Sequence, residues 1–298
     1  MRRSLAPTLA AALLLVLSTA ATAFGQSAAV VVLRTSEMGA YKAVEAGFAA
    51  ALGQGVQSIG LAEPDGKARF ESARAGAKLV FAIGPDAARA AANGSNGLML
   101  ATLVPSLQAA GLPKDAPVVP MFVSATRQAR TLRAVLPAAK AVGLLYDPRA
   151  SKALAAECEA AAAAVGLKLE RAEVTSRAEV AEAMRALVGK VDALWLVPDP
   201  TVISADTFKL LMQITLASKL PVMGFTAGMA KAGALLAMEA SHEEIGRHAA
   251  EAALRVLAGQ PAAIEGCDGA LYLNAKVAEM VGVSLPDDVK GKAATVFQ

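Results

Sequence analysis

The sequence predicts an α/β protein with two lobes, each a doubly wound parallel sheet with helices on both faces. Predicted strands and helices alternate along most of the chain, which is the pattern of parallel βαβ units. Residues 193–197 form an unbroken apolar run, as expected for a strand buried on both faces of its sheet. A length of 298 residues is enough for two domains of ordinary size, each with its own core.

In the first lobe, strands and helices are predicted from residue 29 onward. The predicted strands are residues 29–34, 56–61, 78–83, 97–104 and 117–123. The predicted helices between them are residues 41–52, 68–77 and 87–92. The second lobe begins near Thr126 and continues the alternation.

The second lobe contains the most strongly marked strand, residues 193–197, which ends at Pro198, Asp199 and Pro200. The prolines break the strand ladder and favour a turn. Its predicted strands are residues 141–146, 167–174, 193–197, 219–226 and 230–239. Its predicted helices are residues 129–136, 152–165, 177–187 and 207–219, and a long helix follows from residue 242 to 259.

Polar and aromatic residues follow several of these strands. Ligands of open α/β sheets bind outside the carboxyl ends of the strands, so these residues are the candidate site. The candidates on the first lobe are Ser36 and Asp86; those on the second lobe are Ser151, Asp199, Thr201, Phe225 and Thr226. Two such edges facing each other across a hinge form a cleft.

Each candidate also has a structural interpretation. Ser36, Ser151 and Thr201 occupy positions typical of helix caps, and their hydroxyls can serve a cap and a ligand carboxylate alike. Asp86 is expected to cap its helix. Asp199 is either a turn former or the partner of a ligand ammonium group.

Two aromatic residues, Phe225 and Trp195, can likewise serve in packing rather than in ligand binding. Phe225 follows a strand, where it can stack on a ligand or serve in packing. Trp195 lies inside a strand and is expected in the core.

Motifs for catalysis, metals and nucleotides are absent from the sequence pattern. No GxGxxG or GxxxxGK[ST] follows the first strand, and no GxSxG, HExxH or paired-carboxylate pattern occurs. His242 and His248 lie six residues apart on one predicted helix, which is not metal spacing. We therefore expect no enzyme activity, no cofactor and no metal; a periplasmic hydrolase is the unsupported enzymatic alternative.

Several motifs in the second half carry a family resemblance. Residues 219–222 read K-L-P-V, Gly233 precedes Ala234, and residues 246–259 read GRHAAEAALRVLAG. This run resembles the substrate-binding proteins of a family of ABC transporters with the type I periplasmic fold, whose pattern is K-x-P-V, then G-A, then G-R-x-A-A-x-x-A-x-x-V-L-x-G. The resemblance covers roughly the second half of the chain.

The resemblance implies a solute-binding protein that captures a small polar ligand, an amino acid or similar, in an interlobe cleft and delivers it to an ABC transporter permease. A periplasmic domain that feeds a sensor is the alternative. The implied amino-terminal lobe consists of residues 24–125, and helix 242–260 returns to it. The implied carboxyl-terminal lobe consists of residues 126–241, and residues 268–298 return to it.

The sequence departs from the family pattern at three polar positions. Pro200 stands where the family usually has Asn after Asp, Thr226 stands where it often has Asp, and Ser241-His242 stands for Asp-Tyr. These departures remove polar groups that would fix an amino-acid ligand.

The first 23 residues have the pattern of a cleaved export signal. Arg2 and Arg3 precede a short apolar core, and Ala21-Thr22-Ala23 fits a cleavage site. An uncleaved anchor is the alternative, although the apolar segment is short for a membrane span. We expect a periplasmic protein without stable membrane insertion after cleavage.

The charge balance bears on nucleic-acid binding, and the cysteine content bears on a possible disulfide. Without residues 1–23, 27 basic and 26 acidic residues remain, and this near-neutral balance argues against nucleic acid. Cys158 and Cys267 are the two cysteines. They can form a disulfide in an exported protein, but two unpaired thiols are the favoured interpretation.

Overall fold

The computed structural model describes residues 29–93, 98–105, 107, 110–262 and 266–298. The predicted export signal lies outside these ranges. Within them, two separate sheets carry the two lobes, of five and seven strands. The predicted fold class of two α/β lobes is therefore confirmed.

The first lobe contains a fully parallel sheet with three helices between its strands. Its elements are β1 (Val30–Arg34), α1 (Gly39–Leu52), β2 (Gln57–Gly60), α2 (Gly66–Arg74), β3 (Leu79–Ile83), α3 (Pro85–Ala92), β4 (Leu98–Thr102) and β5 (Val118–Val119). The strand order is β2-β1-β3-β4-β5. Every neighbouring pair is parallel.

The second lobe is larger. Its elements up to the fourth strand are α4 (Ala125–Val135), β6 (Ala141–Tyr146), α5 (Pro148–Ala164), β7 (Lys168–Glu173), α6 (Val180–Leu187), β8 (Ala193–Trp195), α7 (Ala205–Ala217) and β9 (Val222–Gly224). The chain continues through α8 (Ala227–Lys231), β10 (Leu236–Glu239), α9 (His242–Leu257), β11 (Ala270–Asn274), α10 (Ala275–Val281), α11 (Asp287–Lys290) and β12 (Thr295–Phe297). The strand order is β12-β11-β10-β9-β8-β6-β7.

The structure differs from the sequence prediction in two elements of the second lobe. Residues 230–239 were expected to form one strand, but α8 occupies their start and only Leu236–Glu239 pairs in the sheet. Thr226 caps α8, because its side chain accepts a hydrogen bond from the Met229 amide at 3.3 Å. In addition, β11 runs antiparallel to β10, so this sheet is not purely parallel.

Apolar side chains of each sheet point alternately to opposite faces, and helices cover both faces. In β1, Val30 and Val32 face α1 and α9, whereas Val31 and Leu33 face α2 and α3. This alternation follows from the two-residue period of a strand. It explains why β1, β3 and β6 read as continuous apolar runs, since neither face of these strands is open to water.

Helix α9 follows the second-lobe strand β10 but packs on the first lobe, along α1. Gly246 makes this close contact possible, since a Cβ atom there would lie 2.0 Å from the Val44 carbonyl oxygen. A Cβ atom at Gly47 would lie 2.1 Å from the Glu243 carbonyl oxygen. The backbones of the two helices therefore approach each other through glycine on both sides.

The chain passes between the lobes at three places within the described ranges. These crossing segments are residues 120–124, residues 240–241 and residues 266–269, as the order of elements and the two sheets require. The first and third lie side by side, because Val123 and Cys267 form an isolated parallel bridge. The predicted boundary between residues 125 and 126 falls just after the first crossing segment and stays a prediction.

Trp195 and Cys158 belong to the second-lobe core. The Trp195 side chain is fully buried, and its indole Nε1 donates to the Gln128 side-chain oxygen at 2.8 Å. Gln128 also donates to the Val123 carbonyl oxygen at 2.7 Å, which links the core to the first crossing segment. Cys158 packs in the same core, whereas Cys267 packs with the first lobe, and both thiols are free.

Candidate functional site

Asp199 lies at the carboxyl end of β8 and organises the turn that follows. Its side chain is fully buried. One carboxylate oxygen accepts from the Asp147 amide at 2.7 Å, and the other accepts from the amides of Thr201 and Val202 at 2.8 and 3.0 Å. Asp199 is thus a turn former that also joins the ends of β8 and β6. In this conformation a ligand ammonium group cannot reach its side chain, so the expected direct contact would require the turn to open.

Asp147, at the carboxyl end of β6, accepts hydrogen bonds from helix α5 and from the turn after β8. The Arg149 Nε and Nη2 atoms donate to its two oxygens at 2.9 and 2.6 Å, and the Thr201 hydroxyl donates at 2.8 Å. Asp147 is 2% exposed, whereas the Arg149 side chain is 68% exposed. We call Asp147, Arg149, Asp199 and Thr201 the carboxylate network.

The carboxylate network is strongly charge-assisted. The hydrogen bonds from Arg149 hold the pKa of the Asp147 carboxyl well below its usual range, since they favour the ionised form. The same pairing raises the pKa of Arg149. The result is a permanent guanidinium cation, oriented by a buried carboxylate, at the carboxyl edge of the second-lobe sheet.

The Arg149 guanidinium has donors left for a ligand. Nη2 also donates to the Thr175 carbonyl oxygen, next to the end of β7. Nη1 has no hydrogen-bond partner among the described residues and lies on the exposed side chain. An anionic group arriving at this edge can therefore be bound without breaking the carboxylate network.

Three expected helix caps are not caps. Helix α5 is capped by Asp147, whose side chain accepts from the Arg149 amide, and Ser151 lies buried in its first turns. Helix α7 is capped by Ser204, which leaves the Thr201 hydroxyl to bond Asp147. Helix α1 begins at Gly39 after Met38, so Ser36 lies half-buried in the preceding turn.

Asp86 was expected to cap α3, but Gly84 occupies the cap position. Asp86 lies in the first turn, exposed, and pairs with Arg89 at 2.8 Å. Both residues line a groove of about 610 Å³ between α2 and α3, which opens beside Thr35 and Leu61 at the ends of β1 and β2. Asp86 therefore lies at the carboxyl edge of the first-lobe sheet, as the sequence predicts.

Phe225 lies between the second lobe and the first crossing segment. It follows β9 and is half-buried. Its ring meets Phe122 edge to face, with ring centroids 5.8 Å apart and an angle of 80° between the planes. Thr226 is the next residue and caps α8. The aromatic pair forms an apolar surface where the lobes are joined.

The structure groups the predicted residues into three sets. Ser151, Asp199 and Thr201 come together around Asp147, Phe225 and Thr226 follow β9, and Ser36 and Asp86 stay on the first lobe. Sequence reasoning missed Arg149 and Phe122 as site residues. A signal for Arg149 was present, because an arginine two residues after a strand-ending aspartate can return to that carboxylate.

Within the described ranges, no helix combines the length and the apolar character that crossing a membrane requires.

Comparison with known proteins gives consistent results. Residues 118–297 match the family model of the ABC transporter substrate binding protein. A tyrosine-binding protein of Clostridioides difficile is 26% identical over 192 residues, which is 61% of this chain. The match spans 55% of that relative's length, so this chain covers about half of it.

Solved structures agree on the fold. A ligand-free, open substrate-binding protein with adhesive properties from Clostridium difficile has a TM-score of 0.62 and 24% identity, over 90% of this chain and 99% of that one. An ABC domain from Streptococcus pneumonia in complex with L-Trp has a TM-score of 0.54 and 22% identity, with the same coverage. Because the family model matches more than half of the sequence, this chain belongs to the ABC transporter substrate-binding protein family.

Proposed function

We propose that this chain is an exported solute-binding protein that captures an amino acid with an aromatic side chain between its lobes and delivers it to an ABC transporter. The observation that carries the proposal is the exposed Arg149 guanidinium, fixed by the buried Asp147 carboxylate at the carboxyl edge of the second-lobe sheet. The family assignment supports the solute-binding part of the proposal.

The geometry suits a ligand with a carboxylate at one end and a ring at the other. Arg149 follows β6 and Phe225 follows β9, and β8 lies between these strands in the sheet. Two strand spacings are about 10 Å, comparable to the length of an aromatic amino acid. A carboxylate on Arg149 would thus place a ring near the Phe122–Phe225 pair. The relatives that bind tyrosine and L-Trp support this ligand class.

The first lobe supplies the opposite wall in this proposal. Ser36 and Asp86 lie beyond the ends of β1 and β3, and Asp86 is exposed. An exposed carboxylate there can pair with the ligand ammonium group, the role that the buried Asp199 cannot fill in this conformation. Ser151, Thr201 and Thr226 complete the second-lobe side, where Thr201 acts through Asp147.

Isothermal titration of the tag-free mature protein tests the ligand class. The panel is tyrosine, tryptophan, phenylalanine, leucine, succinate and glucose. We expect binding of the aromatic amino acids and a loss of about tenfold to a hundredfold in affinity for Arg149→Gln, the effect of one charge-assisted hydrogen bond.

Arg177→Gln is the matched control. Arg177 is an exposed arginine near the same edge, and its Nη2 atom makes a long hydrogen bond of 3.5 Å to the Pro200 carbonyl oxygen. Its removal is expected to leave affinity unchanged. Equal affinities for Arg149→Gln and the wild type would refute the carboxylate contact, and binding restricted to succinate or glucose would refute the ligand class.

The partner is tested in cells. If the chain feeds a permease, deletion of its gene is expected to abolish uptake of the labelled ligand. Unchanged uptake with a lost regulatory response would point instead to a sensor. Amino-terminal sequencing of exported protein tests the proposed periplasmic location, since cleavage after Ala23 gives a chain that starts at Phe24.

A further inference from the structure

Three side chains of different chemistry meet beside the third crossing segment. Glu244 and His248 lie one turn apart on α9, and Cys267 comes from residues 266–269. One ligand atom from each, a carboxylate oxygen, an imidazole nitrogen and the sulfur, all lie within 4.8 Å of one another. The sequence predicts no metal site here, because Cys267 is distant in sequence and the two histidines are poorly spaced.

We propose that Glu244, His248 and Cys267 form a binding site for a zinc ion, apart from the ligand site at the sheet edges. An imidazole nitrogen, a thiolate and a carboxylate are the donors that zinc takes in proteins, and three protein ligands leave a fourth position for water. The combination of sulfur and nitrogen donors disfavours magnesium and calcium, which prefer oxygen.

The distances are close to those that zinc needs. Tetrahedral zinc with bonds of about 2.0–2.3 Å separates its ligand atoms by about 3.5 Å. Glu244 Oε1 and His248 Nε2 are already 3.9 Å apart, and the longest separation in the group is below 4.8 Å. Closing these gaps takes side-chain movements of about an ångström or less.

The surroundings orient two of the three ligands. The Gly269 amide donates to Glu244 Oε1 at 2.9 Å, which fixes the carboxylate. On the other side of the imidazole, Glu251 Oε2 lies 3.6 Å from His248 Nδ1. The Arg247 guanidinium can only donate, so its 3.0 Å contact places the lone pair on His248 Nε2, the atom that faces Glu244.

The charges of the three ligands themselves suit a divalent cation. Once deprotonated, Cys267 would share the site with the Glu244 carboxylate, and two negative charges balance one zinc ion.

One competing group lies at the site. The Arg247 Nη2 atom lies 3.0 Å from His248 Nε2, and zinc would replace it there. The Arg247 side chain is 45% exposed and also pairs with Glu251, so it can turn toward solvent. The Glu244 and His248 side chains are 18% and 16% exposed, which gives an ion access from that side, whereas Cys267 is fully buried.

The site lies where the lobes are joined. Cys267 forms the bridge to Val123 of the first crossing segment, and α9 packs on the first lobe. A bound ion would therefore fasten α9 to the third crossing segment, which pairs with the first through this bridge.

Cobalt and zinc titrations of the tag-free protein under reducing conditions test the proposal. We expect one ion per chain, and sulfur-to-cobalt charge-transfer absorption in the near ultraviolet. Cys267→Ser is expected to abolish that absorption, and His248→Gln and Glu244→Gln to weaken zinc binding at least tenfold. Cys158→Ser is the matched control, since Cys158 is a buried thiol in the other core.

Each outcome decides the proposal. Loss of the cobalt band in Cys267→Ser with its retention in Cys158→Ser supports the site. No stoichiometric binding to the wild type, or equal zinc affinity of the wild type and the folded His248→Gln protein, overturns it. If Cys267→Ser does not fold, His248→Gln and Glu244→Gln decide, because both change partly exposed side chains.

Discussion

Removing the Asp199 carboxylate should destabilise the protein even without ligand. The carboxylate accepts three backbone hydrogen bonds, and two of the donors, the amides of Asp147 and Val202, are in buried contacts. Asp199→Ala leaves these two amides without an acceptor in the present conformation. The third donor, the Thr201 amide, is partly exposed and can bond water.

The magnitude follows from the two buried donors. An unsatisfied buried amide costs about 1–3 kcal/mol, so Asp199→Ala is expected to lower the free energy of unfolding by about 2–6 kcal/mol. Asp199→Asn retains one carbonyl oxygen for the Thr201 and Val202 amides but turns an amide group toward the Asp147 amide. It should therefore cost about 1–3 kcal/mol.

Urea unfolding followed by circular dichroism measures both variants, with Asp86→Ala as the control. Asp86 is exposed and pairs only locally with Arg89, so its removal should change stability by less than about 1 kcal/mol. The reasoning fails if Asp199→Ala unfolds like the wild type while its ligand affinity falls. That result would make Asp199 a ligand contact rather than the residue that holds the turn.

Two further predictions concern pH and helix packing. The Asp147 pKa is depressed in the folded protein, so its stabilisation is full above the unfolded pKa of about 3.9 and is lost as pH falls below it. In Asp147→Asn, urea unfolding from pH 5 to 3 should show a weaker loss of stability than in the wild type; identical slopes would contradict this. Gly246→Ala should lower the free energy of unfolding by about 1–3 kcal/mol, because its Cβ would lie 2.0 Å from a backbone oxygen of α1. Gly55→Ala, with nothing within 4 Å of the added atom, should change stability by less than about 0.5 kcal/mol in the same assay.

The two-lobed fold could be predicted because its signals are local. Buried strands such as β3 and β6 appear as apolar runs, and the helices between them have their own patterns. Helix α8 was missed because it is five residues long and its alanines read equally well as strand. Strand β11 is antiparallel to β10 because the third crossing segment brings the chain back to the end of the sheet at which β10 stops. No local sequence pattern indicates that direction.

The candidate site was predicted less completely, since it depends on contacts distant in sequence. The strand-end positions of Asp199 and Thr201 were evident, but their hydrogen bonds to Asp147 span more than fifty residues. A polar residue after a strand can face solvent or turn inward to bond another strand end. The sequence does not distinguish the two cases, which is why a buried turn carboxylate was predicted as a ligand contact.

The passage of α9 from the second lobe back to the first has a consequence for biosynthesis. Val44 and Phe48 of α1 are buried together with Ile245 and Ala249 of α9, about two hundred residues later in the chain. Until the chain has been made through Leu257, these side chains lack their covering helix and the first lobe stays incomplete. A nascent chain that holds only the first five strands therefore exposes apolar surface for a chaperone or an export machinery to bind.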